Sequence, residues 1–252
     1  MASNDWNADR YVKNAAFVST YGSAVAELLG DISGQRVLDL GCGDGRLTLE
    51  LVERGATVVG IDASTSMIES SRDKGLDAHV LDALEMTYDQ EFDSVFTNAT
   101  LHWIPDHPLL ARKVFAAIKN GGQFVGEFGG HGNVAAINTA IRGTLAKFGF
   151  DWTGKKPVTY PSVQKFKSIL EEAGFEVPYM ELIPRPTPLP TGIRGWVETF
   201  GSSFLEDAEP GVQQEMLNEI ESLLAPALRD EFGNWTADYV RLRFKALKLP
   251  SI

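Results

Sequence analysis

The densest chemistry in the sequence sits in Val37-Leu38-Asp39-Leu40-Gly41-Cys42-Gly43-Asp44-Gly45. Glycines at alternate positions let a chain turn sharply and bring its backbone against a ligand, with free N–H groups presented at the next helix. A second acid, Asp62, follows Gly43 by nineteen residues, about where a carboxylate takes ribose hydroxyls in dinucleotide-type folds. In isolation Asp62 would read as a helix cap or a surface acid; its register with the glycine turn is what gives it meaning.

The spacing departs from G-x-G-x-x-G, because Gly45 comes one residue early and Arg46 stands where the third glycine belongs. Asp39 and Asp44 bracket the turn with negative charge that would repel a pyrophosphate. A sulfonium and an ammonium would instead be attracted, by about 4 kcal/mol at 4 Å under an effective dielectric of 20. Adenosine without phosphates and with a cationic tail is S-adenosylmethionine, the ligand this turn favours. Two alternatives stay open: an NAD-dependent reductase, disfavoured by the missing glycine and Asp44, and a non-catalytic protein that binds S-adenosylmethionine as a sensor.

Other chemical side chains are scattered. His102 and Trp103 follow a strand at the edge where α/β sheets bind ligands, so His102 reads as a general base or as pocket wall. His131, in a glycine-rich loop, reads as a base or a surface residue. Cys42 reads as a small packing residue, and Asp82 as an adenine contact or a turn residue. Arg185 and Arg194 flank a proline run and read as carboxylate clamps or surface residues. Arg241, Arg243 and Lys245 share one strand face and read as solvated or paired with acids. Met180 and Met216 read as core. Four histidines and one cysteine offer no zinc-ligand spacing, so no metal is expected.

These groups need a scaffold, and the pattern supplies one. Short β-branched runs alternate with amphipathic stretches, as in a parallel α/β sheet. Strands are expected at 36–40, 57–62, 78–81, 92–98, 123–128, 175–183 and 239–246. Helices are expected at 46–54, 64–74, 109–119, 133–148 and 162–173, with helical periodicity through 191–232. Pro184, Pro186, Pro188 and Pro190 argue against any regular central strand beyond Ile183. Tyr11, Ala15, Val18, Val25 and Leu28 give an N-terminal helix. The 252 residues then form a single domain, with a cap at 1–30 and insertions at 129–160 and 184–236 serving as lid and substrate pocket.

Composition excludes several classes. At 44% hydrophobic and 23% charged the chain is no disordered tract, and a single cysteine permits no intramolecular disulfide. No apolar run approaches the ~20 residues that cross a bilayer. The net charge of −11 makes nucleic acid a poor partner. Met1 to Asp5 lack the basic and apolar parts of a secretory signal, so a cytoplasmic protein acting on small molecules is expected.

Asp39-Leu40-Gly41-Cys42-Gly43-Asp44-Gly45, Gly60-Ile61-Asp62 and Asp82-Ala83 together resemble the class I S-adenosylmethionine-dependent methyltransferases. More narrowly, the chain resembles the trans-aconitate 2-methyltransferase-like group. The matching pieces are Asp5-Trp6-Asn7 with Tyr11, Asp62-Ala63-Ser64 with Met67-Ile68, the run from Asn98 to His107, and Gly195-Trp196-Val197. The resemblance implies a Rossmann-like fold: a seven-stranded, mostly parallel sheet with an antiparallel last strand, helices on both faces and helical lid insertions. It implies that Gly41 and Gly43, with Cys42 between them, lie against the methionine part of the cofactor. Asp39 would orient its amino end, Asp62 and Ala63 the ribose, and Met67 the adenine. Asp82 and Ala83 would meet the adenine edge, Asn98 and Ala99 would border the sulfonium, and Tyr11 would close the pocket. A carboxylate acceptor, which the resemblance also implies, needs no base; a hydroxyl or amine would need one such as His102 or His131. Glu127 to Asn133 departs from the family's pattern.

Overall fold

Alternation along the strands decides which side of the sheet each residue serves. In a computed structural model, which describes residues 22–151 and 158–250, Leu38 and Leu40 of β1 (Arg36–Leu40) face one core cluster while Val37 faces another. β2 (Thr57–Asp62) repeats this with Val59 and Ile61 against Val58, and β4 (Phe92–Asn98) with Val95 against Phe96. Such strands, buried on both faces, need helices on both sides. One face is covered by α1 (Arg46–Glu53) through Leu51, and by the helical residues 22–29 through Val25, Ala26 and Leu29. The other is covered by α3 (His107–Ala117) and α5 (Val163–Glu172).

With β3 (Ala78–Val80), β5 (Ile118–Gly129), β6 (Glu176–Pro188) and β7 (Thr236–Leu247), the sheet has seven strands in the order β3-β2-β1-β4-β5-β7-β6. The first five are mutually parallel, and β7 runs antiparallel to both β5 and β6. This is the expected Rossmann-like sheet. Strand order reverses between β1 and β4, the crevice where open α/β sheets bind ligands.

Helix starts follow side-chain caps. Ser64 Oγ accepts the Met67 amide at the head of α2 (Thr65–Arg72), Asp106 the Leu109 amide ahead of α3, and Ser162 the Lys165 amide ahead of α5. The Asp106 cap, with Pro108 in the first turn, starts α3 two residues before the expected Leu109. It ends at Ala117 because β5 takes the chain from Ile118, five residues before the expected Gln123.

The proline run requires a correction. β6 does not stop at Ile183; it continues to Pro188, pairing Pro184 with Val240, Pro186 with Asp238 and Pro188 with Thr236. β6 is the edge strand, so the prolines' nitrogens face away from the ladder, while Leu189, of the opposite parity, donates its amide to the Trp235 carbonyl at 2.8 Å. The helical segment therefore begins after the strand, with α6 (Gly192–Phe200), α7 (Ser202–Leu205) and α8 (Pro210–Leu228). These pack with α4 (Ala135–Lys147) and the start of β7 into a core of their own, built on Ile141, Trp196, Met216, Ile220 and Tyr239. Met216 is in that core as expected; Met180 is only partly buried against the sheet. Among the described residues, no helix is long and apolar enough to cross a membrane.

Candidate functional site

The turn after β1 is held open from below. The amides of Gly41 and Cys42 both donate to the Ile61 carbonyl, at 2.8 and 3.0 Å, pinning the turn to the end of β2. Gly41, Gly43 and Gly45 all have positive φ, but for different reasons. A Cβ on Gly41 would lie 2.1 Å from Thr100 Oγ1, and one on Gly45 would lie 2.3 Å from Ser71 Oγ. A Cβ on Gly43 would meet nothing within 4 Å among the described residues. Two glycines therefore admit the protein's own neighbours, and Gly43 alone faces open space.

Around that opening the acids converge. Asp62 Oδ2 accepts the Gly43 amide at 3.1 Å and Oδ1 accepts the Ser64 amide at 2.8 Å, so one carboxylate joins the turn to the head of α2. Asp39 is 2% exposed and accepts the Thr48 hydroxyl at 2.7 Å. Burial raises the Asp39 carboxyl to about 7 against the lowering effect of Thr48, with Asp62's charge adding to the rise. Burial likewise raises Asp62, opposed by its two amide donors. Two acids made costly by burial, beside backbone that leaves a void, fit a cationic ligand. They do not fit a pyrophosphate.

The remaining expected contacts are mixed. Met67 is buried and Ala63 is exposed at the rim. Asp82 Oδ1 accepts the Leu84 amide at 2.8 Å, which is a turn residue's work, while Leu81 bonds Asp62's carbonyl and keeps that turn beside β2. Ala83 is half-buried against the sheet core. Cys42 is buried with Ile68 and Ala78, and burial pushes its thiol up, away from thiolate chemistry. Tyr11 lies outside the described residues. Asn98 ends β4 and Ala99 takes φ +55°, a left-handed conformation that nothing in the sequence announces for alanine. Its amide bonds the Glu127 carbonyl at 2.8 Å, tying β4's tip to β5.

His102 sits in a short 3-10 turn (Leu101–Trp103) and is buried, with its ring centroid 5.0 Å from Trp103's and 5.9 Å from Tyr160's. The Gly129 amide donates to its Nδ1 at 3.3 Å, so the neutral ring carries its proton on Nε2. Burial, and then the charge of Arg241, hold its pKa well below the usual 6.5. His131 is exposed on the loop after β5. His107, buried, bonds the Leu101 carbonyl at 2.9 Å and holds the 3-10 turn in place.

Beyond His102 lies a group that no single stretch of sequence contains. Glu127 of β5 is 2% exposed and is clamped by Arg185 of β6, through both carboxylate oxygens, and by Arg243 of β7, Nε to Oε2 at 2.7 Å. Arg185 thus clamps a carboxylate of its own protein, and Arg194 pairs with Glu221 and Asn218. Arg241 is also buried, its guanidinium 4.5 Å from the Tyr239 ring centroid. The expectation of a solvated or acid-paired face holds for Arg243 and fails for Arg241. Among the described residues, no three His, Cys, Asp or Glu side chains cluster as metal ligands would.

This architecture has relatives. A methyltransferase-domain family model matches residues 31–174. A Schizosaccharomyces pombe protein named an uncharacterized methyltransferase is 37% identical over 98% of this chain and 100% of its own. A trans-aconitate 2-methyltransferase of Rhodococcus jostii is 29% identical, over 90% of this chain and 91% of its own. Among solved structures, a Haemonchus contortus phosphoethanolamine N-methyltransferase in complex with S-adenosyl-L-methionine superposes with a TM-score of 0.59 at 21% identity, covering 92% of this chain and 53% of that one. The chain belongs to the methyltransferase-domain family.

Proposed function

We propose that this methyltransferase esterifies a small-molecule carboxylate, taking the methyl group from S-adenosylmethionine. One observation carries the choice of acceptor: His102, the histidine beside the pocket, cannot serve as a base. Its Nδ1 is occupied by the Gly129 amide, its Nε2 carries the proton, and burial keeps it from picking up a second one. Glu127 is likewise committed, to two guanidiniums. With His102 and Glu127 both committed, an acceptor that arrives already ionised is favoured, as a carboxylate does near neutral pH. The name of the Rhodococcus relative supports the same reading.

When bound, S-adenosylmethionine supplies an electrophilic methyl group on a sulfonium. The protein's part is to hold and align. Asp39 and Asp62 offer the negative charge, Gly43 leaves the room, and the strained Ala99 fixes the tip of β4 where the two reactants meet. His102 Nε2–H is free to donate to an acceptor oxygen and orient it. Alignment of this kind is worth up to roughly 7–11 kcal/mol in well-oriented systems, enough to dispense with acid–base help. Residues 129–151 and 158–160 and the helices α6 and α8 serve as lid and pocket wall within one domain. Water excluded by that lid would otherwise compete for the sulfonium's charge. The acidic net charge favours a small-molecule acceptor over nucleic acid, in a cytoplasmic setting.

The test is turnover on a panel of acids, phenols and amines, read as S-adenosylhomocysteine release and by mass spectrometry of the product. Alkali-labile methyl esters from acids alone, with a rate at saturating S-adenosylmethionine that is flat from pH 6 to 8, are expected. Turnover confined to phenols or amines would overturn the reading, as would release with no acceptor at all from the panel.

A further inference from the structure

Asp39 and Asp62 crowd the same opening on unequal support. Asp62 is held by two backbone amides, those of Gly43 and Ser64, which the turn itself fixes. Asp39 draws on one side chain, the Thr48 hydroxyl at 2.7 Å, and among the described residues nothing else donates to its carboxylate. That bond takes Oδ2 and leaves Oδ1 without a donor among the described residues. An O–H to carboxylate contact this short is charge-assisted, and it favours the ionised acid.

The residue type at 48 is equally specific. Thr48 is the third residue of α1 and lies, 1% exposed, on the face whose Leu51 packs the helix on the sheet. Valine would fill that space with no polar atom to bury. A helical threonine commonly returns its hydroxyl to a carbonyl one turn back, whereas this one sends its single proton across to β1. The charged groups around Asp39 offer no substitute. Asp62 on β2 and the Cys42 thiol are acids; on α1, Arg46 pairs with Asp44 and Glu50 accepts the Ser23 hydroxyl. Glu27, in the helical residues 22–29, is exposed, and the β4 residue beside Asp39 in the ladder is Phe96. The Thr48 hydroxyl thus opposes both burial and the repulsion of Asp62.

We propose that Thr48 is a positioning residue for the methyl donor: its hydroxyl holds Asp39 oriented and anionic for the donor's ammonium. Thr48 acts through Asp39. The assignment rests on the reading of Asp39 as the partner of the donor's amino end, and it holds whatever the acceptor is.

The probe is S-adenosylhomocysteine, which keeps the ammonium. It is titrated calorimetrically from pH 6 to 8.5 into wild type, Thr48→Val, Thr48→Ser, Asp39→Asn and the double variant Asp39→Asn/Thr48→Val. Without the hydroxyl, about a tenth of Asp39 is ionised at pH 7, against about half in wild type. Thr48→Val should therefore bind about fivefold more weakly at pH 7, about tenfold at pH 6 and less than about twofold at pH 8.5. The ligand's own amine titrates equally against both proteins, so the ratio isolates Asp39. Thr48→Ser, which keeps the hydroxyl, should recover most of the affinity, and valine should cost nothing further in the Asp39→Asn background. Should Thr48→Val not fold, Thr48→Ala reads the same ratio. A ratio that does not vary with pH would assign Thr48 to packing and overturn the proposal, as would an equal loss in the Asp39→Asn background. Asp39→Asn that binds like wild type would sink the reading of Asp39 and the proposal with it. Weak binding by Asp39→Asn beside an indifferent Thr48→Val would sink the Thr48 assignment alone.

Discussion

The two halves of the sheet carry opposite charges into the same crevice. On the β1–β2 side, Asp39 and Asp62 crowd a glycine turn, and burial drives both away from ionisation. On the β5–β7–β6 side, Arg185 and Arg243 clamp Glu127 while Arg241 lies buried on the same strand face as Arg243, which leaves a positive excess. Neither arrangement is cheap in the free protein, because like charges in a low dielectric repel and lose hydration. Under the proposed esterification the acidic side would hold the cationic donor, and the opposite side would face the anionic acceptor. The difference between the halves also concerns architecture: the acidic side is built within one turn, the basic side across three strands.

The largest effect should come from breaking the basic half at its centre. Glu127→Gln leaves the half-buried Arg185 and Arg243 without a counter-charge, and losing the buried partner of such a network costs about 3–5 kcal/mol. Urea unfolding would measure it, and a loss below 1 kcal/mol would show that the clamp is not the joint between β5, β6 and β7. On the acidic half, Asp62→Ala should weaken S-adenosylhomocysteine binding by about 1.5–3 kcal/mol, the scale of hydrogen bonds to a charged group. Unchanged affinity in titration calorimetry would move the ribose elsewhere. The turn should suffer too, since the Gly43 and Ser64 amides lose their acceptor.

The same contrast explains what was legible in the sequence. Asp39, Gly43 and Asp62 could be found because a strand, a turn and the next strand place them together by local spacing. Glu127, Arg185 and Arg243 meet only through the register of antiparallel strands, which one-dimensional spacing does not encode. The odd character of the Glu127–Asn133 segment was visible, but not its meaning. Arg185 signalled carboxylate binding correctly in chemistry and wrongly in partner. β6 was cut short because four prolines were judged against a central strand, when the chain had put that strand at the edge. The positive φ of Ala99 had no signal at all; only its bond to Glu127's carbonyl accounts for it.

Gly43→Ala sharpens the acidic side at smaller cost. Its φ of +55° costs an alanine about 1–2 kcal/mol in stability, yet the added methyl meets no atom of the described residues. A folded protein, slightly less stable in urea and at least tenfold weaker for S-adenosylhomocysteine, is the expected result. Intact affinity would mean that the void beside Gly43 is not where the ligand lies.

The smallest effect is a fraction of a proton, and it reads the acidic half directly. With its carboxyl near 7, Asp39 in the free protein is about half protonated at pH 7. Its folded value is raised, so ionising it opposes folding: the penalty is absent below the unfolded value near 3.8 and grows until it is complete above about 7. A bound sulfonium and ammonium favour the carboxylate and lower that value again. Binding of S-adenosylmethionine at pH 7 should therefore release up to about half a proton, with affinity rising between pH 6 and 8. Calorimetry in buffers of different ionisation enthalpy would detect the release, and Asp39→Asn should abolish it. Identical heats in both buffers would place the cation away from Asp39, and with it the whole division of charge between the two halves.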